Sequence, residues 1–135
     1  MADVLFDTSG AFALIIPRDQ YHRRARAYVG GERNLRLHIP EVVLGETYTT
    51  LRRRQGYEVA MRWVDGVLRS STIVLHRPEP DEYESAWAVL REYAGVPLSY
   101  ADASVVALGR ATGITDVFSF DTDFASCGMR LVPGA

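Results

Sequence analysis

Five carboxylates stand where the ends of secondary-structure elements would bring them to one edge of a fold. Phe6-Asp7-Thr8-Ser9 and Phe120-Asp121-Thr122-Asp123 share one signature, an aromatic residue followed by an aspartate and small polar residues. Ser99-Tyr100-Ala101-Asp102 has the form of a helix start with an acid in its first turn. Glu46 follows Val42 and Val43 at helical spacing, on the border of an apolar face where a carboxylate can be half-buried and still point into a groove. Each acid also has an ordinary structural reading. Asp7 can cap a helix, Asp102 can complete a capping box with Ser99, Glu46 can be a solvated side chain, and Asp121 and Asp123 can be turn acids. Gathered in one crevice they would repel one another and their pKa values would rise, unless a cation sat between them. His22, His38 and His76 read as isolated, in helix or strand patterns away from these ends, so the donors are hard oxygens. Mg²⁺ or Mn²⁺ suits such a set and zinc does not. An ion of that kind polarises a phosphate and lowers the pKa of a bound water, the two requirements for hydrolysing a phosphodiester.

Composition removes several other chemistries. All 15 basic residues are arginine, so a P-loop and any Schiff-base or pyridoxal phosphate mechanism lack their lysine. A single cysteine, Cys127, excludes an intramolecular disulfide and a multi-cysteine metal site. The formal net charge of -2 argues against strong nonspecific binding to nucleic acid, although arginine is the better bidentate phosphate ligand. No stretch approaches the roughly 20 apolar residues of a membrane helix, and Asp3 and Asp7 stand where a signal peptide would be basic and then apolar, which reads as a cytoplasmic protein without a membrane segment.

The elements that must position the acids follow from the apolar spacing. The 135 residues, with no repeat and no linker, suit one domain over positions 1–135. Strands are expected at Asp3 to Asp7, Leu35 to Ile39, Ser71 to Leu75, Val117 to Phe120 and Met129 to Val132. Between them, helices are expected at Thr8 to Ile16, Gln20 to Val29, from Pro40 to near Gly56, Tyr57 to Arg69, Asp81 to about Tyr93, and from Ser99 to Gly113. This alternation predicts an α/β fold, a mostly parallel sheet of about five strands with helices on both faces. If strands two and three lie to one side of strand one and strands four and five to the other, the ligand crevice at the switch point falls between Asp7 and Asp121. The DTD run invites comparison with haloacid-dehalogenase-like phosphatases, but those resemble DxDx(T/V) at strand one and use a lysine. Here strand one ends in Asp7-Thr8-Ser9 and no lysine exists; a receiver domain fails for the same reason.

Four segments, DVLFDTSG from residue 3, PEVVLGE from residue 40, SYADASVVALG from residue 99 and DVFSFDTDF from residue 116, resemble the PIN-domain family. The likeness runs from Asp3 to about Pro133 and is greatest to the VapC-type ribonuclease toxins of toxin-antitoxin pairs. It implies a metal-dependent endoribonuclease leaving 5′-phosphate and 3′-hydroxyl ends. Asp7, Glu46, Asp102 and Asp121 take the family's four acidic positions, with Asp123 the acid that accompanies the last. Ser119, Thr8 and Ser9 fill the small polar positions that support them. The resemblance further implies an RNA substrate, a homodimer, and an antitoxin laid over the early helices, for which Phe12, Ile15, Ile16, Tyr57, Met61 and Trp63 supply apolar side chains. Two departures stand out. Ala101 replaces a frequent threonine, and Gly109 replaces a frequent alanine and is expected to loosen its helix.

Arg52 and Arg53, at the end of the helix that carries Glu46, are candidates to hold substrate phosphate, and Arg53 lies seven residues from Glu46 on the same stripe. The plainer reading of the Arg52-Arg53-Arg54 run is a favourable charge at a helix C-terminus. Arg23, Arg24 and Arg26 form a second basic bank. Tyr21, Tyr48 and Tyr100 can stack unpaired bases, or can simply be half-buried in a core. The rival to an enzyme is a non-catalytic PIN-like module that binds nucleic acid or a protein, and metal-dependent cleavage separates the two.

Overall fold

A computed structural model describes residues 2–134. In chain order the elements are β1 (Ala2–Phe6), α1 (Thr8–Ile15), α2 (His22–Gly31), β2 (Leu35–Pro40), α3 (Glu41–Gln55), α4 (Tyr57–Arg69), β3 (Ile73–His76), α5 (Pro80–Glu92), α6 (Tyr100–Thr112), β4 (Asp116–Phe118), α7 (Asp123–Ser126) and β5 (Arg130–Val132). The five strands form one sheet in the order β3-β2-β1-β4-β5, and every pairing is parallel. Because all strands run the same way, all their carboxyl ends share one edge. Chain order reverses between β1 and β4, so the switch point predicted from sequence is where the crevice lies.

The sheet is covered on both faces, since Val4, Leu5 and Phe6 are consecutive and all buried. On one face Phe6 packs edge-on to Trp63 of α4, 5.8 Å between ring centres, and beside Phe118 of β4. On the other face Leu5 lies under α6. Gly109 of α6 sits so close there that a Cβ would come within 2.6 Å of Met129 Cε, 2.8 Å of the Ile114 carbonyl and 3.0 Å of Leu5 Cδ1. Gly109 therefore does not loosen α6, which runs unbroken past it. It is the residue that allows the helix to approach the sheet.

Helix ends follow the sequence signals closely. Pro40 precedes α3, Gly56 takes φ 95° between α3 and α4, Ser99 caps α6, and Gly113 ends it in the left-handed region. Several boundaries and one element differ from the sequence reading. β4 stops at Phe118 instead of Phe120, because the backbone donors beyond it are taken by side chains: Phe120 N donates to Ser9 Oγ and Asp121 N to Ser119 Oγ. β3 starts at Ile73 because Ser70 Oγ accepts from Thr72 N and Ile73 N in a turn. α2 starts at His22, after Asp19 Oδ1 has accepted from Tyr21 N. The single turn of α7 was not anticipated; four residues are too few for a periodic signal.

Candidate active site

The site begins where β1 runs out. Asp7 is 3% exposed, still pairs with β4 through Asp7 N to the Phe118 carbonyl, and then caps α1 by accepting from Ser9 N at 3.2 Å. Its Oδ2 also accepts from Ser9 Oγ at 2.9 Å and from Ser119 Oγ at 2.8 Å, so one carboxylate oxygen carries three donors drawn from α1 and the end of β4. Gly10 makes this junction possible: a Cβ there would stand 2.4 Å from the Phe118 carbonyl. Oδ1 has no donor among the described residues. No buried side-chain oxygen or nitrogen among them lacks a partner, so Oδ1 faces solvent in the crevice. Burial raises the Asp7 pKa from 3.8 to about 6, against the lowering effect of the Ser119 bond, and the nearby Asp102 charge raises it further.

The other acids repeat the same division of labour. Asp102 Oδ2 accepts from Ser99 N at 2.8 Å while Ser99 Oγ accepts from Asp102 N, a full capping box that leaves Oδ1 open. Burial pushes the Asp102 pKa up, the Ser99 bonds pull it down, and the charges of Asp121 and Asp123 raise it again. Asp121 Oδ1 accepts from Asp123 N at 3.0 Å, and Oδ2 is open. Glu46 Oε1 accepts from Thr8 Oγ1 at 3.1 Å, and Oε2 is open. Each of the four acids thus has one oxygen fixed by protein donors and one without a partner among the described residues. The structural readings of Asp7 and Asp102 as caps are correct as well, and the capping bonds are what orient the free oxygens.

Among the described residues, none of these acids has a cationic side chain as a salt-bridge partner; the arginine pairs go to Asp3, Glu41, Glu92 and Asp116. The donor chemistry fits a hard divalent cation, all carboxylate oxygen with hydroxyls behind it. No three acid, imidazole or thiol groups among the described residues already stand close enough to hold an ion, so binding one would draw the free oxygens inward.

One expectation about the surroundings was wrong. The histidines are not isolated: His38 Nδ1 lies 2.8 Å from His76 Nε2 and His38 Nε2 lies 2.8 Å from Asp3 Oδ1. The partners sit on three neighbouring strands, far apart in sequence, which is why spacing did not show them. His22 Nδ1 bonds the Ala13 carbonyl. Of the arginines, Arg52 lies over the Tyr57 ring and Arg54 over the Phe12 ring, while Arg53 is exposed and makes no ion pair with a described residue. Tyr21 stacks on Phe120 at 4.4 Å, with Arg24 over the Phe120 ring, a feature beside Asp121 that the sequence did not suggest.

A parallel sheet in this order has four half-free carboxylates at its switch point, and the chain belongs to the PIN-domain family, whose model matches residues 4–128. Within that family it is similar to VapC proteins. The 23S rRNA-specific endonuclease VapC20 of Mycobacterium tuberculosis is 37% identical over 88 residues, which are 64% of this chain and 66% of that relative, just under two thirds. The crystal structure of VapC20, described as a sarcin-ricin loop cleaving toxin, superposes with a TM-score of 0.87 at 28% identity, covering 93% of this chain and 95% of that one. A DNA-bound VapBC from Salmonella typhimurium shares the fold, with a TM-score of 0.70 at 18% identity over 97% of each chain.

Proposed function

We propose that the chain is a divalent-metal-dependent endoribonuclease and the toxin of a toxin-antitoxin pair, acting on RNA in the cytoplasm. The observation that carries this reading is the shared geometry of Asp7, Glu46, Asp102 and Asp121, each with one oxygen fixed and one free at the same strand edge. Asp7, Asp102 and Asp121 would hold Mg²⁺ or Mn²⁺, with Asp123 beside them. When bound, the ion supplies a polarised phosphate and a more acidic water. Glu46, exposed and steadied by Thr8, accepts a proton from the attacking water or orients it. Ser9 and Ser119 keep Asp7 pointed at the cleft. Arg53, and Arg52 beside it, hold the phosphate backbone of the substrate. The rRNA endonuclease activity of VapC20 and its structural likeness to this chain, over 93% of it, support the same assignment.

The antitoxin and dimer readings extend from this. A groove lined by Ile15, Ile16, Val59, Trp63, Val67 and Ile73 runs between the end of α1 and α4, and would seat an apolar antitoxin segment. Of the side chains expected there, Ile15, Ile16 and Trp63 line it. A homodimer is proposed by the same family analogy. The test is cleavage of end-labelled RNA by the purified chain. Activity in Mg²⁺ should vanish in excess chelator and fall about 100-fold or more in Asp7→Asn and Asp121→Asn, with circular dichroism unchanged. Undiminished cleavage by both variants would overturn the assignment, and binding of RNA without cleavage by the wild type would make the chain a non-catalytic module.

A further inference from the structure

A second cavity, about 390 Å³, opens on the opposite face of α6 from Asp102. Its walls include Glu41 and Val42 at the start of α3, His76 at the end of β3, Glu82 and Tyr83 of α5, and Tyr100 of α6. Two of these lie close to catalytic candidates along the same helices. Tyr100 precedes Asp102 by two residues, and Val42 precedes Glu46 by about one turn, a rise of about 6 Å. Pro40 and His76 end β2 and β3, so the cavity opens at the same carboxyl edge of the parallel sheet as the acids that follow β1 and β4.

The lining is aromatic and rich in hydrogen-bond acceptors. Tyr83 is 50% exposed, an unusual state for a large ring, and Trp87 braces the Tyr100 ring at 4.8 Å between centres. Glu82 uses Oε2 to accept from Glu79 N, and Glu41 uses Oε2 toward Arg77 at 3.7 Å, so in each Oε1 has no partner among the described residues. His76 closes a third side, tied through its Nε2 to His38 Nδ1 and through His38 Nε2 to Asp3. Asp3, held below the usual carboxylate range by its bond to His38, is ionised and accepts from His38 Nε2. Burial and the adjoining His38 hold the His76 imidazole below its ordinary range.

Among the bases, only guanine offers two adjacent donors, N1–H and N2–H, to one carboxylate. Adenine and cytosine pair one amino group with a ring nitrogen that a carboxylate repels, and uracil sets a single N–H between two carbonyls. We propose that this cavity binds an unpaired guanine flanking the cleaved phosphate, an inference that rests on the ribonuclease reading. Glu82 or Glu41 reads the guanine edge, and Tyr83 and Tyr100 hold its faces.

Nucleosides test this without cleavage and without a phosphate for the acidic cleft. Guanosine titrated into the full chain should change the emission of Trp87, a signal absent in Trp87→Phe. Inosine, which lacks only the N2 amino group, should need about tenfold more. One of Glu82→Gln, which preserves the capping box, and Glu41→Gln should erase the preference for guanosine over inosine, and a preference that survives both would overturn the proposal. Tyr83→Ala should weaken both alike. Equal responses to guanosine, inosine, adenosine and uridine would overturn the proposal. So would no response, including the case in which sedimentation shows a second copy of the chain burying Trp87. Because the readout is binding, a negative result leaves RNA cleavage standing, and an inactive but guanosine-selective protein would separate the two the other way.

Discussion

Burial of Asp7 gives the metal-free protein a pH dependence in a window where ordinary aspartates are silent. Its pKa is raised from 3.8 in the unfolded chain to about 6, so the folded state holds the proton more tightly and stability falls as pH rises from about 4 through 6. At about 1.4 kcal/mol per pH unit the loss is on the order of 3 kcal/mol. Asp102 is shifted the same way and steepens the slope. Asp3 and Asp116 are lowered, so their contribution is complete above pH 3.8 and disappears only in stronger acid, outside this window. Urea titrations in chelator between pH 4 and 7 should show the decline in the wild type and a much flatter profile in Asp7→Asn; parallel profiles would mean that Asp7 is not the strained group. Arg53 offers a second residue-level test. Arg53→Ala should weaken RNA binding about equally across sequences and reduce the salt slope by about 1. An unchanged slope would return Arg53 to a solvated role at the C-terminus of α3.

At the scale of elements, the approach of α1 to β4 is what turns separate acids into a site. Gly10→Ala places a methyl 2.4 Å from a backbone carbonyl, which cannot rotate away, so α1 must shift and loosen the Asp7–Ser119 bond. A destabilisation of about 1–3 kcal/mol with a matching loss of cleavage is expected. Gly45→Ala, in the exposed middle of α3 with nothing within 4 Å of a new Cβ, should instead stabilise by about 0.5–1 kcal/mol. Thermal melts of the pair distinguish close approach from helix propensity, and equal effects would contradict the packing described. These elements also show what the sequence could reveal. Strand order and helix ends were readable, because Pro40, Ser99 and Gly113 act locally and the acids follow strands or open helices. The end of β4 was misread, since Phe120 continues the strand's pattern and only the fold supplies the Ser9 hydroxyl that claims its N–H. The Asp3–His38–His76 relay and the tight fit at Gly109 were invisible for the same reason: both depend on neighbours brought across the sheet.

For the whole molecule, the decisive question is whether carboxylates from the end of β1, α3, α6 and the loop after β4 act as one cation site. A cation that binds only the native state stabilises it by RT ln(1 + [L]/Kd), about 2.7 kcal/mol at 100 times Kd, which is a rise of about 10 °C in Tm for a chain of this size. Asp102→Asn retains an oxygen for the Ser99 cap yet removes one repelling charge. It should therefore melt no lower than the wild type in chelator and gain much less from the ion. The most direct measurement is the Tm of both proteins in chelator and in millimolar Mn²⁺. The acidic-site account predicts a large rise for the wild type and a small one for Asp102→Asn; a wild-type Tm that Mn²⁺ does not move, or equal rises in the two proteins, would contradict it.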